Sequence, residues 1–345
     1  MTDAVTLRRG WTTGTCATAA TKAALMGLWG GDVPGRVSII LPKGEKPEFE
    51  VVGARSSCNE AEAGIIKDAG DDPDVTHGAE VSVTVRPSAG GVVFRAGAGV
   101  GTVTKPGLPI DVGEPAINPV PRKMMEEEVV ALAVAHDRAP DIEITVSVIG
   151  GAELALKTWN PRLGIEGGLS ILGTTGVVRP FSCAAWIASI HRGIDVARAS
   201  GLPHVAGCTG ATSERIVQGV HCLPDHAMLD MGDFAGGLLK YLRRHPVPRL
   251  TIGGGIGKMC KLAQGAMDLH SGRSHVDLGA LSSLVGQDLT DCNTALEAYT
   301  RVGPDLAEAV ARRGLDQIKI TLQGADIKVD TIVIDRKGTI IGRAE

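Results

Sequence analysis

The 345-residue chain predicts an α/β fold combined with α+β: two domains, an α+β first domain and an α/β second domain with a short parallel sheet. Three observations carry that prediction. Early segments alternate apolar and polar residues with period two, the mark of half-buried strands. From about Asn160 and Pro161 the rhythm changes to short apolar runs that stop in glycine turns, with helical segments between them, as βαβ units require. The length suits two domains, which we set at 1–165 and 166–345.

Taken in order, "GWTTGTCATAATKAA" (10–24) is a Thr/Gly turn running into an Ala-rich helix that carries Lys22. "RVSIILP" and "EFEVVGARSS" read as strands with "KGEKP" as the turn between them. "EVSVTVRP" and "GVVFRAG", joined by "SAGG", read as a hairpin. "KMMEEEVVALAVAH" is a helix from Lys123 to His136, with acids near its start where the macrodipole favours them. "DIEITVSVI" is a further strand. In the second half "GLSILG", "HVAGC" and "RLTIGGG" are strands, and "SCAAWIASIHRGIDVARAS", "DFAGGLLKYLRRH" and "IGKMCKLAQGAMDLH" are helices. "IKITL" and "DTIVIDRKGTIIG" close the chain as a strand or hairpin.

Composition narrows the function. Aromatics are scarce and glycine abundant, so Val, Ile, Leu and Ala build the core and backbone segments can approach a ligand closely. A formal charge of −4 with no basic stripe argues against nucleic acid as a partner. The opening residues are polar, which argues against a secretory signal, and no apolar run is long enough to span a bilayer. Seven scattered cysteines with no CxxC pair suggest a reduced, cytoplasmic protein without disulfides or a structural zinc.

Several segments are candidate sites. The Thr-Thr-Gly turn at Thr12, Thr13 and Gly14, followed by Thr15, recurs at Thr174, Thr175 and Gly176 after Gly173. A helix start carries unpaired N–H groups and partial positive charge, so such a turn either caps the helix or holds a carboxylate or phosphate. The second turn follows an expected strand, where ligands bind in open α/β sheets. "KDAGDDPDVTHG" crowds Asp68, Asp71, Asp72 and Asp74 between Lys67 and His77. Repulsion there raises one carboxyl pKa for proton transfer, or the segment is a solvated turn. Residues 97–124 form a long ordered loop carrying Lys105, Asn118, Arg122 and Lys123. Its glycines at 97, 99 and 101 only mimic a nucleotide fingerprint, because prolines follow instead of a helix. "GGGIGKMCKL" fails as a P-loop at Ile252 and Met259, which leaves Gly253, Gly254 and Gly255 as a strand-to-helix turn. His221 and His226 flank Cys222 without a second ligand cluster, so no metal site is expected. Cys16 and Cys208 read as small buried residues.

Together "RRGWTTGTCATAATKAA", "KDAGDDPDVTHG", "GVGTVTKPGL", "GEPAINPVPRKM", "NPRLGIEGGLSILGTTGVVRPFS" and, more loosely, "GKMCKLAQGAMDLHS" resemble the CbiD family. Its members are cobalt-precorrin-5B C1-methyltransferases of cobalamin biosynthesis. The resemblance implies a first domain like a permuted ribosomal-S5 domain, S-adenosylmethionine as methyl donor and cosubstrate, and a corrin precursor as acceptor. Cobalt enters with the substrate. Under that resemblance Thr12, Thr13 and Thr15 hold one carboxylate arm, and Lys105, Asn118 and Arg122 hold others. Gly173, Thr174, Thr175 and Gly176, with Gly253, Gly254 and Gly255, face the donor. Asp68, Asp71, Asp72, His77 and Glu166 are the candidate proton carriers. A homodimer is compatible with the glycine-rich edges. Two other readings compete: a nucleotide-using small-molecule kinase or ligase, and a non-catalytic tetrapyrrole carrier.

Overall fold

The structure, a computed structural model, describes residues 7–345. The polar opening segment read above for the absence of a secretory signal begins in residues 1–6, outside the described residues. The described chain forms two compact units, the first reaching Ser182 and the second spanning Cys183–Glu345. The boundary therefore falls beyond the expected 165/166.

The first unit runs β1 (Gly10–Trp11), α1 (Thr13–Gly30), β2 (Arg36–Ser38), β3 (Glu48–Glu50), β4 (Val52–Ser56), β5 (Ala61–Ile66), β6 (Glu80–Pro87), β7 (Val92–Ala96) and β8 (Thr102–Val103). It continues with α2 (Pro119–Ala135), β9 (Ile142–Val148), α3 (Gly151–Ala155), β10 (Ile165–Glu166) and β11 (Val177–Val178). Residues 166–182 stay with this unit because β10 pairs with β8 and β11 with β1. Strands β4, β5, β6, β9 and β7 form its main sheet in that order. Helix α1 packs on β5 and β6 and is covered by α2. Its alanines and threonines are buried nearly all round, as a helix between two layers must be. Thr18 and Thr21 turn their hydroxyls back onto the carbonyls of Gly14 and Ala17, which makes such burial tolerable. Lys22 reaches Glu128 on α2 at 3.1 Å.

The expected hairpin of β6 and β7 does not form. The 88–91 turn reverses the chain, but β9 lies between the two strands, antiparallel to β6 and parallel to β7. Asp141, just before β9, accepts the Gly91 N–H at 2.7 Å and its carbonyl accepts that of Ser88, tying the turn to β9. The expected hairpin of "RVSIILP" with the start of "EFEVVGARSS" does form, as β2 and β3, but β4 joins the other sheet. Helix α2 begins at Pro119 rather than Lys123, since proline suits a first turn whose N–H groups lack intrahelical partners. "GLSILG" is no sheet strand; only Leu169 and Ile171 make isolated bridges, to Val100 and Ile117.

The second unit runs α4 (Cys183–Ala199), β12 (His204–Cys208), α5 (Ala211–His221), β13 (Met228–Leu229), α6 (Ala235–Leu242), β14 (Arg249–Gly255) and α7 (Ile256–Ala263). It ends with α8 (Leu278–Val285), α9 (Ala295–Val302), α10 (Pro304–Leu322), β15 (Lys328–Ile334) and β16 (Ile340–Ala344). The sheet order is β13, β12, β14, β15, β16, parallel except for the last strand. Alternate strand residues enter two cores. Val205, Leu250, Ile252, Val329 and Val333 pack with α4, α6, α7 and α10, while Ala206, Cys208, Ile332 and Ile334 pack with Val217 of α5. The expected strand "IKITL" is the last turn of α10. Leu315, Ile318 and Leu322 repeat at helical spacing into the core, and Ile320, which gave the short window its alternation, faces solvent. No helix among the described residues is long and apolar enough to cross a membrane.

Candidate active site

In the first unit the two Thr-Thr-Gly turns meet each other. Thr12 caps α1, its Oγ1 accepting the Thr15 N–H at 3.2 Å, and its own N–H donates to the Gly176 carbonyl. Thr15 Oγ1 donates to that carbonyl at 2.7 Å. The Thr13 hydroxyl exchanges hydrogen bonds with the N–H and carbonyl of Leu172. The N–H of Gly14, an open donor in most helix starts, also goes to Leu172. All three threonines are buried, so the hydroxyls expected to grip a carboxylate arm instead join the two turns. Gly173 has φ +144°, and a Cβ there would lie 2.1 Å from Thr12 Oγ1; its glycine serves this joint and not a donor. No helix starts at the second turn, because β11 follows it. Thr174 is exposed, and the Thr175 hydroxyl turns to the Val177 carbonyl.

The acidic segment packs against the chain entering this joint: the Trp11 N–H donates to the Asp68 carbonyl, and Asp71 exchanges backbone and carboxylate bonds with Arg8. Its crowding is neutralised rather than left repulsive. The Arg8 guanidinium grips the Asp68 carboxylate with both terminal nitrogens and, with the Gly70 N–H, holds it down at about 2. Burial pushes Asp74 upward, but the Lys67 charge and the Thr76 donors outweigh it and leave Asp74 below the usual carboxylate range. Neither residue has the raised pKa that repulsion predicted. Asp72 accepts the Phe181 N–H at 2.8 Å. His77 accepts the Ala69 N–H on Nδ1, so a neutral His77 carries its proton on Nε2.

Both depressed groups make the folded chain bind fewer protons than the unfolded chain below a pH of about 4. Their stabilisation is therefore complete above that pH and is lost as pH falls through the folded values, toward about 2 for Asp68. Asp68→Asn is expected to flatten the acid limb of a stability–pH curve, measured by urea unfolding from pH 5 downward. An unchanged limb refutes the assignment.

On the 97–118 loop, Lys105 lies with its stem against Gly164, and among the described residues its ammonium makes no ion pair. The Asn118 amide at the α2 cap makes no hydrogen bond to the helix. Arg122 is committed: it donates to the Ile117 and Pro115 carbonyls and to Glu114, and lies over the Phe94 ring. It braces the loop, with four of its five N–H groups in these bonds. Glu166 accepts the Thr104 hydroxyl on one oxygen at 3.1 Å.

In the second unit the glycine turn falls at the switch point of the sheet. Chain direction diverges between β12 and β14, and their carboxyl ends carry Thr209-Gly210 and Gly253–Gly255. This is where open α/β sheets bind ligands. A Cβ on Gly254 would meet Thr209 Oγ1 at 2.8 Å, so that glycine lets Thr209 lie across the strand end. Gly210, Gly255 and Gly257 have no such reason: none has a φ that demands glycine, and an added Cβ would meet nothing within 4 Å. They leave open backbone at the crevice. Sequence reasoning missed Thr209, Gly210 and Gly257, although the turn "CTG" after the strand "HVAGC" carried the signal. Nearby Lys258 is paired with Asp233, and Lys261 is buried and donates to the Leu269 carbonyl. The two glycine segments expected to form one donor site belong to different units.

Other groups are accounted for. Burial pushes the Cys16 and Cys208 thiols up to about 12, which leaves no thiolate for nucleophilic work. His221 finds ligand-type neighbours in His204 and Asp330, within 4.8 Å of one another, a set whose atoms could hold a metal. Thr251 hydrogen-bonds all three, and Arg249 supplies Asp330 with a counter-charge at 2.9 Å. Burial, then His221, push His204 down to about 4. An open cavity of about 530 Å³ lies along α6, between Phe234 and the stacked His191 and Tyr241; none of Gly253, Gly254 and Gly255 lines it.

The molecule thus pairs an α+β unit, built around a buried helix start, with a doubly wound α/β unit that has a glycine crevice at its switch point. Residues 1–180 match the CbiD family model and residues 268–345 match the model of the CbiD C-terminal domain. The chain is 56% identical over 357 residues to the cobalt-precorrin-5B C(1)-methyltransferase of Paramagnetospirillum magneticum, covering all of both chains. It is 58% identical over 352 residues to the protein of that name from Brucella anthropi, covering 98% of this chain and 95% of the other. The 1.9 Å crystal structure of the cobalamin biosynthesis protein CbiD from Archaeoglobus fulgidus matches 95% of this chain and 87% of its own, with 24% identity and a TM-score of 0.43. The chain belongs to the CbiD family.

Proposed function

We propose that this protein transfers a methyl group to C1 of cobalt-precorrin-5B, giving cobalt-precorrin-6A in cobalamin biosynthesis. The observation that carries this is identity of 56% and 58%, over essentially the whole chain, to proteins that bear that name. S-adenosylmethionine is the donor in this reading. In this reading the first unit takes the corrin precursor, and the second takes the donor at the β12/β14 crevice.

The chain's own residues do the following. Gly210, Gly255 and Gly257 offer backbone that a donor can approach closely, and Thr209 offers a hydroxyl beside it, whereas the space over the expected Gly253 and Gly254 is taken by Val217 and by Thr209 itself. Lys105 and Asn118 offer open donors to carboxylate arms. The Thr12–Gly176 joint holds the surrounding segments in register. The donor is already activated, so positioning of the two reactants supplies most of the rate. Proton removal from the conjugated ring needs a carboxylate oxygen left open, and among the described residues Asp71 and Glu166 each keep one. Cobalt comes with the substrate.

The test is mass spectrometry of the corrinoid after incubation with methyl-labelled S-adenosylmethionine. The expected product carries one labelled methyl, at C1. An unlabelled corrinoid, together with failure to bind S-adenosylhomocysteine, overturns the reading in favour of a tetrapyrrole carrier.

A further inference from the structure

Phe181 combines three features that packing does not explain. Its φ is +55°, a backbone conformation that bulky L residues rarely adopt. Its side chain is 66% exposed in a chain with only four phenylalanines, of which Phe49 and Phe94 are buried in the first unit's core. It makes no ring or cation contact among the described residues, whereas Trp11 packs on Phe49 and Arg122 on Phe94. A strained backbone and an exposed ring are both unfavourable, and no contact of the ring offsets them.

The position is nevertheless locked. The Phe181 N–H donates to Asp72 Oδ1 at 2.8 Å, across 109 residues of sequence. Asp72 stands in the acidic segment, which Lys67–Asp74 and Arg8–Asp68 hold rigidly. Just upstream, β11 is paired with β1, so Phe181 is held by its own N–H and by the strand that leads into it. Two positions before it, Arg179 is exposed and makes no ion pair among the described residues. An offered aromatic face, with an exposed guanidinium two positions upstream, suits a flat conjugated ring bearing carboxylates.

Resting on the reading above, we propose that Phe181 is a contact platform for the conjugated face of the corrin precursor, and that Asp72 is a positioning residue that holds it there. Asp72 then acts through its hydrogen bond to the Phe181 backbone and carries no proton in the reaction.

The variants separate these roles. Phe181→Gly removes the ring and relieves the positive φ. It should keep or raise the melting temperature, leave S-adenosylhomocysteine affinity unchanged, and raise the Kd for enzymatically prepared cobalt-precorrin-5B about ten-fold. Phe181→Tyr should restore that Kd to within about two-fold. Asp72→Asn keeps an acceptor for the Phe181 N–H and should retain most of kcat, whereas Asp72→Ala should raise the corrinoid Kd as Phe181→Gly does. A parent-like Kd in Phe181→Gly overturns the platform. Loss of kcat in Asp72→Asn with an unchanged Kd overturns the positioning role and makes Asp72 a proton carrier. Absence of methyl transfer by the parent protein would be a failure of the enzymatic reading, whereas the binding comparison reads the platform by itself.

Discussion

Asp74→Asn is expected to cost about 3 kcal/mol of folding free energy, read by urea unfolding at neutral pH. Lys67 is among the most deeply buried side chains of the first unit, at 1% exposure, and its Nζ lies 2.7 Å from Asp74 Oδ2. Asp74 is the one carboxylate that this ammonium reaches among the described residues. An asparagine preserves shape and an acceptor but removes the charge, which leaves an uncompensated cation away from water. The figure lies at the low end for broken buried pairs because Asp74 itself is 26% exposed. Lys67→Met removes the charge that needs compensation and should cost much less, since Asp74 keeps its bonds from Thr76. The double variant should recover most of the loss. A loss below about 1 kcal/mol in Asp74→Asn would show that water reaches the pair.

The second large effect is on binding. Gly255→Leu should leave the unfolding free energy within about 1 kcal/mol of the parent while lowering S-adenosylhomocysteine affinity roughly a hundred-fold by calorimetry. Gly255 has φ −68° and ψ 153°, where any residue is comfortable, and its added Cβ meets no neighbour. The chain itself therefore has no need of glycine there. A leucine fills the space a ligand would use against the strand end. Equal affinity in parent and variant would remove the β12/β14 crevice as the donor site, without touching the corrinoid reading of the first unit.

Residues of the switch point and residues of the helix joint were legible to different degrees. Strands β6, β9, β12 and β14 announce themselves by local alternation or by apolar runs ending in glycine, so the parallel sheet and its glycine turn followed from short windows. The capping role of Thr12 is equally local, since its partner is three residues away. The hydroxyls of Thr13 and Thr15 could not be placed this way. Their partners lie 159 and 161 residues along the chain, and nothing near them in sequence says that a second turn will occupy the expected anion site. A separation of 60 residues likewise hid Arg8 from Asp68, so four neighbouring acids read as a repulsive cluster when cations already neutralise two of them. The region of α8, α9 and α10 was left unread except for "IKITL", where five residues are too few to tell a strand from the end of a helix.

By itself the sequence determined the change of rhythm between the halves, the strand and helix periods, the caps and the glycine ends of the strands, and the motif set that marks the CbiD family. All of these are properties of adjacent residues, because φ/ψ preference, side-chain period and capping act over a few positions. Only the tertiary structure decided that β9 would separate β6 from β7, that the two Thr-Thr-Gly turns would dock on each other, and that Asp72 would pin Phe181 outward. Those pairings depend on which buried surfaces fit and which backbone groups still lack a partner once the sheets have formed. That selection is made by packing across the whole unit, where each unpaired buried group would be costly.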